Sequence, residues 1–298
     1  MSPLLTIFSA PKPFTDPHIS VIQRNAITSW TKIPGAQVLL LGDEAGLPEA
    51  AREMGVRLVQ DIPRSPSGAP IMSSMFQLAR NTCPAGLYCI VNADVILLPE
   101  IIETARKIAE QHAKFVLLGQ RWDLDVTTPL EFEPVFGNWV EKLSARVRSS
   151  GELHRPAGSD YFLFPSACYE NLPPFIIGRA GWDNWMIYHA RKNGFPAIDG
   201  THDITIIHQS HDYAHLPGGK PHYKHPETAE NIRLAGGRPM TRFTILDTDY
   251  RLENGQVLPQ KMDKIHLLRR IETWPLLKFN STRLSNLLWR AGKWLHLR

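Results

Sequence analysis

What the chain has little of narrows it first. Three cysteines in 298 residues, Cys83, Cys89 and Cys168, are too few and too irregularly spaced for a disulfide framework or a zinc ribbon, so they read as reduced core thiols. No apolar run approaches the roughly 18 residues of a membrane helix. The opening Met1-Ser-Pro-Leu-Leu-Thr-Ile lacks the basic, apolar and small-residue regions of a secretory leader. The expectation is a cytoplasmic protein, neither secreted nor membrane-spanning. There is no internal repeat. The turn after the first predicted strand, Ser9-Ala-Pro-Lys-Pro, carries no Gly-x-Gly-x-x-Gly, which sets aside a dinucleotide-dependent oxidoreductase. It also lacks the Gly-rich basic loop of a sugar nucleotidyltransferase. Net charge is slight, +4, but unevenly placed. A basic tail can contact nucleic acid, yet the apolar residues interleaved with this one make nucleic acid an unexpected partner.

The charge that exists is gathered at one end. From 261 to 298 nine Lys and Arg face only Asp263 and Glu272, making the tail +7 and the rest −3. These charges interleave with Leu267, Leu268, Ile271, Trp274, Leu276, Leu277, Phe279, Leu287, Trp289 and Trp294, a pattern that suits a basic amphipathic helix on an anionic membrane surface. A tail packing its apolar face on the domain or on a second subunit fits the pattern equally.

With 43% hydrophobic and 21% charged residues the chain can bury one large core. Its first half alternates β-branched or aliphatic runs (4–10, 37–41, 56–60, 87–91, 115–119) with helical patterns (16–31, 47–54, 71–80, 100–112). That alternation predicts an α/β fold with a mainly parallel sheet flanked by helices. Beyond 121 the rhythm loosens: a helix near 136–149, a strand at 160–164, a helix at 183–192, and 202–211 as a last strand leaving the sheet. A Gly/Pro/His-rich stretch, 211–239, reads as a mobile loop.

Three segments carry chemistry. In Leu87-Tyr-Cys-Ile-Val-Asn92-Ala93-Asp94 an apolar strand runs into a carboxylate, and residues two apart in an extended chain share a side. Asn92 and Asp94 therefore face one pocket at the strand's carboxyl end, where open α/β sheets bind ligands. Gly178-Arg-Ala-Gly-Trp182-Asp183-Asn184 opens a helix, where an Asp also serves as a cap. Ile206-Ile-His208-Gln-Ser-His211 ends a β-branched run in two histidines.

Taken in that order, the segments resemble the GT-A type nucleotide-diphospho-sugar transferases, over most of residues 1–215. Their mid-sheet strand ends in an Asp-x-Asp triplet whose last acid holds a divalent cation on the donor diphosphate. The resemblance implies that role for Asp94, and a ribose or phosphate hydrogen bond for Asn92, which replaces the first acid. It implies metal ligation by His208 or His211, and Mn²⁺ before Mg²⁺, since imidazole suits manganese better. Asp183 takes the acceptor's proton in inverting members, although Asn184 stands where a second acid is usual. The resemblance places base and ribose at Phe8, Ser9 and Ala10, with Asp43 near the base. The loop 64–70 leading to Ser73 lines the same pocket, and Asp160 lies toward the donor sugar. Arg121, Trp122 and Asp123 sit past a strand end, where a guanidinium meets phosphate and an indole stacks on a pyranose. Apart from the resemblance, the loop with Lys220, His215, His222 and His225 reads either as a cover over bound diphosphate or, more simply, as a run of solvated polar residues.

The domain plan so implied is a GT-A-like catalytic domain, 1–240, with a nucleotide-sugar-binding half (1–120) and an acceptor-binding half (121–240), followed by a basic extension, 241–298. The expected activity is metal-dependent transfer from a nucleoside diphosphate sugar, UDP-sugar favoured, to a hydroxyl of a sugar or lipid-linked acceptor, as in polysaccharide biosynthesis. The alternatives are an inactive nucleotide-sugar-binding protein of the same fold and a metal-dependent hydrolase.

Overall fold

The computed structural model describes residues 3–157, 159–211 and 225–294. The first half alternates β1 (Leu5–Ser9), α1 (Pro17–Thr31), β2 (Ala36–Leu41), α2 (Leu47–Glu53), β3 (Arg57–Val59), α3 (Met72–Thr82), β4 (Leu87–Val91), β5 (Val95–Leu97) and α4 (Glu100–Gln111). There follow β6 (Val116–Leu118), β7 (Trp122–Leu124), α5 (Trp139–Ser150), β8 (Glu152–Leu153), β9 (Tyr161–Pro165), α6 (Trp182–Lys192), β10 (Ala197–Asp199) and β11 (Ile206–Gln209). The chain continues through α7 (Pro226–Leu234), β12 (Tyr250–Glu253), β13 (Gln256–Pro259), α8 (Lys264–Phe279) and α9 (Thr282–Trp294).

Nine strands form one sheet in the order β13-β12-β10-β6-β9-β4-β1-β2-β3. It is mainly parallel. β9 runs against both neighbours, and β13 against β12. The central strands β1, β4 and β9 are buried along their whole length, which is why their sequences read as continuous apolar runs. Alternation then divides them between two cores. Phe8, Ile90 and Phe162 face the layer of α3 and α6, whereas Ile7, Cys89 and Leu163 face α1 and α4.

A second sheet, ordered β5-β11-β7-β8, begins where the chain leaves β4. In it β11 lies antiparallel to β5 and parallel to β7, so that His208 stands opposite both Val95 and Asp123. Helix α5 covers this sheet with Leu143 and Val147, packed on Leu124, Val126 and Ile207.

Three expectations need correction. The strand expected over 202–211 spans only 206–209 and belongs to the second sheet, not the first. Two further strands, β12 and β13, then extend the main sheet through β10. They come from within the expected extension 241–298, and Asn254-Gly255 turns between them at φ 54° and 74°. Those angles belong to a two-residue hairpin, for which Asn-Gly is the favoured pair. Finally, the stretch expected as a loop contains α7, started by Pro226 at the first helical position with His225 accepting from the Glu227 amide. Residues 212–224 of that stretch, with His215, Lys220 and His222, lie outside the described residues.

The basic tail is helical, as expected. Asp263 caps α8, and α9 folds back along α8, with Ser285 Oγ donating to the Glu272 carbonyl. Arg269 on α8 is buried between Asp247 (Nε to Oδ1, 3.1 Å) and Glu272 (3.2 Å), which fastens the tail to the body. Among the described residues no helix is long and apolar enough to cross a membrane.

Candidate metal and nucleotide site

A cavity of about 430 Å³ opens at the carboxyl ends of β1 and β4, the position sheet geometry favours for ligands. Ser9 Oγ donates to the Val91 carbonyl at 2.6 Å and closes the two strand ends together. The turn after β1 is held by α1: Lys12 N donates to Gln23 Oε1 (2.6 Å), and Gln23 Nε2 donates back to the Lys12 carbonyl (3.0 Å). This brings the Lys12 ammonium to 3.8 Å from Asp94 and 3.5 Å from His211 Nε2. Burial lowers the Lys12 pKa and the Asp94 charge opposes the fall.

Asp94 follows β4 directly, and His208 and His211 arrive on and just after β11. Gln209 binds the Asp94 carbonyl through its backbone and side-chain N–H, both at 3.1 Å, locking the two segments in register. His211 Nε2 lies 3.0 Å from Asp94 Oδ2, and the ligating atoms of Asp94, His208 and His211 all lie within 4.8 Å of one another. Among the described residues Asp94 Oδ1 is buried with no hydrogen-bond partner, a state that costs free energy unless something positive meets the oxygen. Burial pushes the Asp94 pKa up. The His211 hydrogen bond and the charges of His208 and Lys12 outweigh that and hold it well below the usual carboxylate range.

His208 bonds Asp123 Oδ1 through Nδ1 at 3.0 Å, which leaves Nε2 as the ring's ligating atom. Two imidazoles and an orphaned carboxylate oxygen are a donor set that fits a borderline transition ion such as Mn²⁺ better than Mg²⁺. A bound cation would displace the proton shared by His211 and Asp94.

Around this cluster lies a supporting layer. Asp123 also accepts from His154 Nδ1 (2.7 Å) and Arg121 Nε (2.9 Å). Its pKa stays well below the ordinary range, because these partners together outweigh the effect of burial. Asp160 is clamped from two sides, by Asn92 Nδ2 and by Arg121 Nη1, each at 2.7 Å.

Asp183 stands in the first turn of α6, behind Gly181 at φ 109°, and accepts from the Gly181 amide at 3.3 Å. A Cβ at Gly181 would meet Thr241 at 3.2 Å, so both space and φ require glycine. Burial, helped by the negative charge of Asp160 and opposed by local backbone N–H groups, pushes Asp183 up to about 6. Asp183 does not line the cavity itself, but Ile177, Gly178 and Arg179 just before it do. Asn184 donates to the Phe243 carbonyl at 2.6 Å and serves to anchor α6.

The structure thus brings together Ser9, Ala10, Asn92, Asp94, Asp160, His208 and His211 on one cavity. Others fall elsewhere. Phe8 is fully buried, edge-on to Phe76, because the alternation of β1 turns it into the core. Asp43 is exposed and paired with Arg64. Ser73, on α3, lines a separate cavity of about 490 Å³ with Phe76, Arg80 and Tyr169. Trp122 packs against the core under α5. Gln23 and Arg179 line the cavity and were not singled out from the sequence. Arg179 is held by Glu227 (2.9 Å) and Ser67 Oγ (3.0 Å). Burial raises the Glu227 pKa, but hydrogen bonds from Ser67 and Ser65 and the Arg179 charge bring it down to about 2.

No family model and no curated protein matches the chain. Solved structures similar to it include S. aureus TarS 1-349 in complex with UDP-GlcNAc, at 14% identity over 99% of this chain and 81% of that one, TM-score 0.49. The mannosyltransferase PcManGT from Pyrobaculum calidifontis, in complex with GDP-Man and Mn²⁺, is 12% identical over 100% of this chain and 81% of that one, TM-score 0.48. Glucosyl-3-phosphoglycerate synthase from Mycobacterium tuberculosis, in complex with Mg²⁺ and UDP, is 11% identical over 79% of this chain and 80% of that one, TM-score 0.46.

Proposed function

We propose that the chain is a metal-dependent GT-A type glycosyltransferase that moves a sugar from a nucleoside diphosphate sugar, a UDP-sugar in the first instance, to an acceptor hydroxyl with inversion. The observation that carries this is the convergence, at the strand-end cavity, of two histidines and a lysine on the buried Asp94 carboxylate, whose Oδ1 has no hydrogen-bond partner among the described residues. With a divalent cation held there beside Lys12, the cavity would present positive charge to which a diphosphate is the natural complement.

Asp94, His208 and His211 would hold the cation, with Mn²⁺ the best fit. When bound, it supplies neutralisation of the charge that grows on the departing diphosphate. Lys12 and Arg179 add positive charge along the cavity for the phosphate oxygens. Asn92 spends one amide hydrogen on Asp160 and offers the rest of its amide to ribose or phosphate. Asp183 is the base. A carboxyl raised to about 6 is ionised at neutral pH yet more basic than an ordinary one, which suits it to take the acceptor's proton. Attack by that hydroxyl in a single displacement inverts the transferred carbon. This environment around Asp183 favours an enzyme over a binding protein without turnover. Three buried free thiols fit a reducing cytoplasm.

Isothermal titration with UDP and then GDP, each with Mn²⁺ and with chelator, tests the proposal on the intact protein and on Asp94→Ala. The expected result is metal-dependent binding of one nucleotide that the substitution abolishes. Binding that survives both chelator and substitution would remove the metal centre, and a folded protein that binds neither nucleotide would remove the donor reading.

A further inference from the structure

The two tail helices are amphipathic twice over. The inner face of α8 carries Arg269, Glu272, Thr273 and Leu276, all buried against the body. Its opposite face is also apolar: Leu267, Ile271 and Trp274 follow at helical spacing and are 47%, 49% and 52% exposed. Helix α9 repeats the arrangement. Ser285 and Gly292 face α8, Gly292 so closely that an added Cβ would lie 2.6 Å from Glu272 Oε1, while Leu284, Leu287 and Trp294 form an outward stripe at 42%, 63% and 80% exposure. In an antiparallel hairpin both stripes fall about a quarter-turn or more from the shared contact, on the same side of the pair. The result is one apolar face two helices wide.

Its surroundings are basic. Lys264, Arg270, Lys278, Arg283 and Arg290 lie on these two helices, and the tail's two acids are engaged, Asp263 in capping α8 and Glu272 with Arg269. We infer that this face docks on the surface of an anionic lipid bilayer, with Ile271, Trp274, Leu287 and Trp294 entering the headgroup region and the five cations meeting lipid phosphates. Exposed apolar stripes bordered by Lys and Arg, with tryptophans among the apolar residues, are what such a surface selects. A second copy of the chain is a poorer occupant, because a self-complementary contact sets this basic border against itself. Nucleic acid would call for the cations at the centre of the face instead of its border.

Flotation of the full chain with vesicles of phosphatidylcholine alone, or with a third phosphatidylglycerol, tests the inference without any sugar nucleotide and so apart from the catalytic reading. The expected result is binding to the anionic vesicles only, weakening as salt rises. Ile271→Glu with Leu287→Glu should lower the partition coefficient about a hundredfold or more, and Arg283→Ser with Arg290→Ser should lower it less while flattening the salt dependence. All four positions are at the surface, and unchanged thermal unfolding would verify that each variant folds. Absence of binding by the intact protein, or binding indifferent to the Glu pair, overturns the inference. A dimer by light scattering that the same Glu pair converts to monomer overturns it as well and assigns the face to a second copy.

Discussion

Asp183 sits where a carboxylate is costly to the fold, and the sign of that cost is testable. Its pKa is raised from the ordinary 3.8 to about 6 in the folded protein, so the native state binds the proton more tightly than the unfolded one. The penalty is therefore absent at low pH, grows as pH rises from about 4 through 6, and is complete above that, reaching about 2–3 kcal/mol. Asp183→Asn should then stabilise the protein at pH 7.5 and leave it nearly unchanged at pH 4, read by urea unfolding at both. The same substitution should cut kcat by about two to four orders of magnitude with donor binding spared, and should abolish an acidic limb near pH 6 in the rate profile. Normal turnover by the Asn variant would remove Asp183 as base. Asp123 acts through another residue: Asp123→Asn weakens the hold on His208 Nδ1, and Mn²⁺ affinity should fall about 10- to 100-fold by titration. Asp94 was legible as a candidate in the sequence less by closing an apolar strand, where turn formers and helix caps also occur, than by preceding Asp183 and the two histidines in order. The role of Asp123 was not. Its bond to His208 depends on cross-strand register between segments 85 residues apart.

At the scale of elements, long buried strands and capped helices announced themselves. The Asp16 cap, Pro17 and the apolar spacing of α1 define that helix in the sequence, and the runs at β1 and β4 could hardly be anything but central strands. The second sheet was hidden for the opposite reason. Its members span two to four residues, too few for an alternation to be read, and only their mutual pairing makes them strands. The β12–β13 hairpin did carry a sequence signal, Asn254-Gly255, within a segment read as tail. Gly255 adopts φ 74° with open space where a Cβ would stand, so Gly255→Ala meets no clash and should cost about 1–2 kcal/mol through backbone strain alone. Denaturant unfolding would measure the loss, with turnover at saturating substrate unchanged.

For the whole molecule, the Arg269, Asp247 and Glu272 group joins the tail to the body across buried ground. Arg269 is the one cation between two buried acids, so Arg269→Met leaves both acids without compensation and should destabilise by about 3–5 kcal/mol. Unfolding followed both by tail tryptophan fluorescence and by far-ultraviolet circular dichroism should show one coincident transition. Separate transitions would mean that the tail folds independently.

Strand β9 lies between β4 and β6 and runs against both, which is how Asp160, 68 residues after Asn92, reaches the same cavity. That placement also governs the order of assembly. The seam between β4 and β9 must wait for distant parts of the chain to meet, a high-contact-order step that slows folding. Until it closes, β4 presents an unpaired, wholly apolar edge, the kind that recruits other chains into aggregates. A fragment ending near residue 120 keeps that edge exposed permanently, and this first half of the protein, however complete its strand-end residues look on paper, should precipitate when made alone.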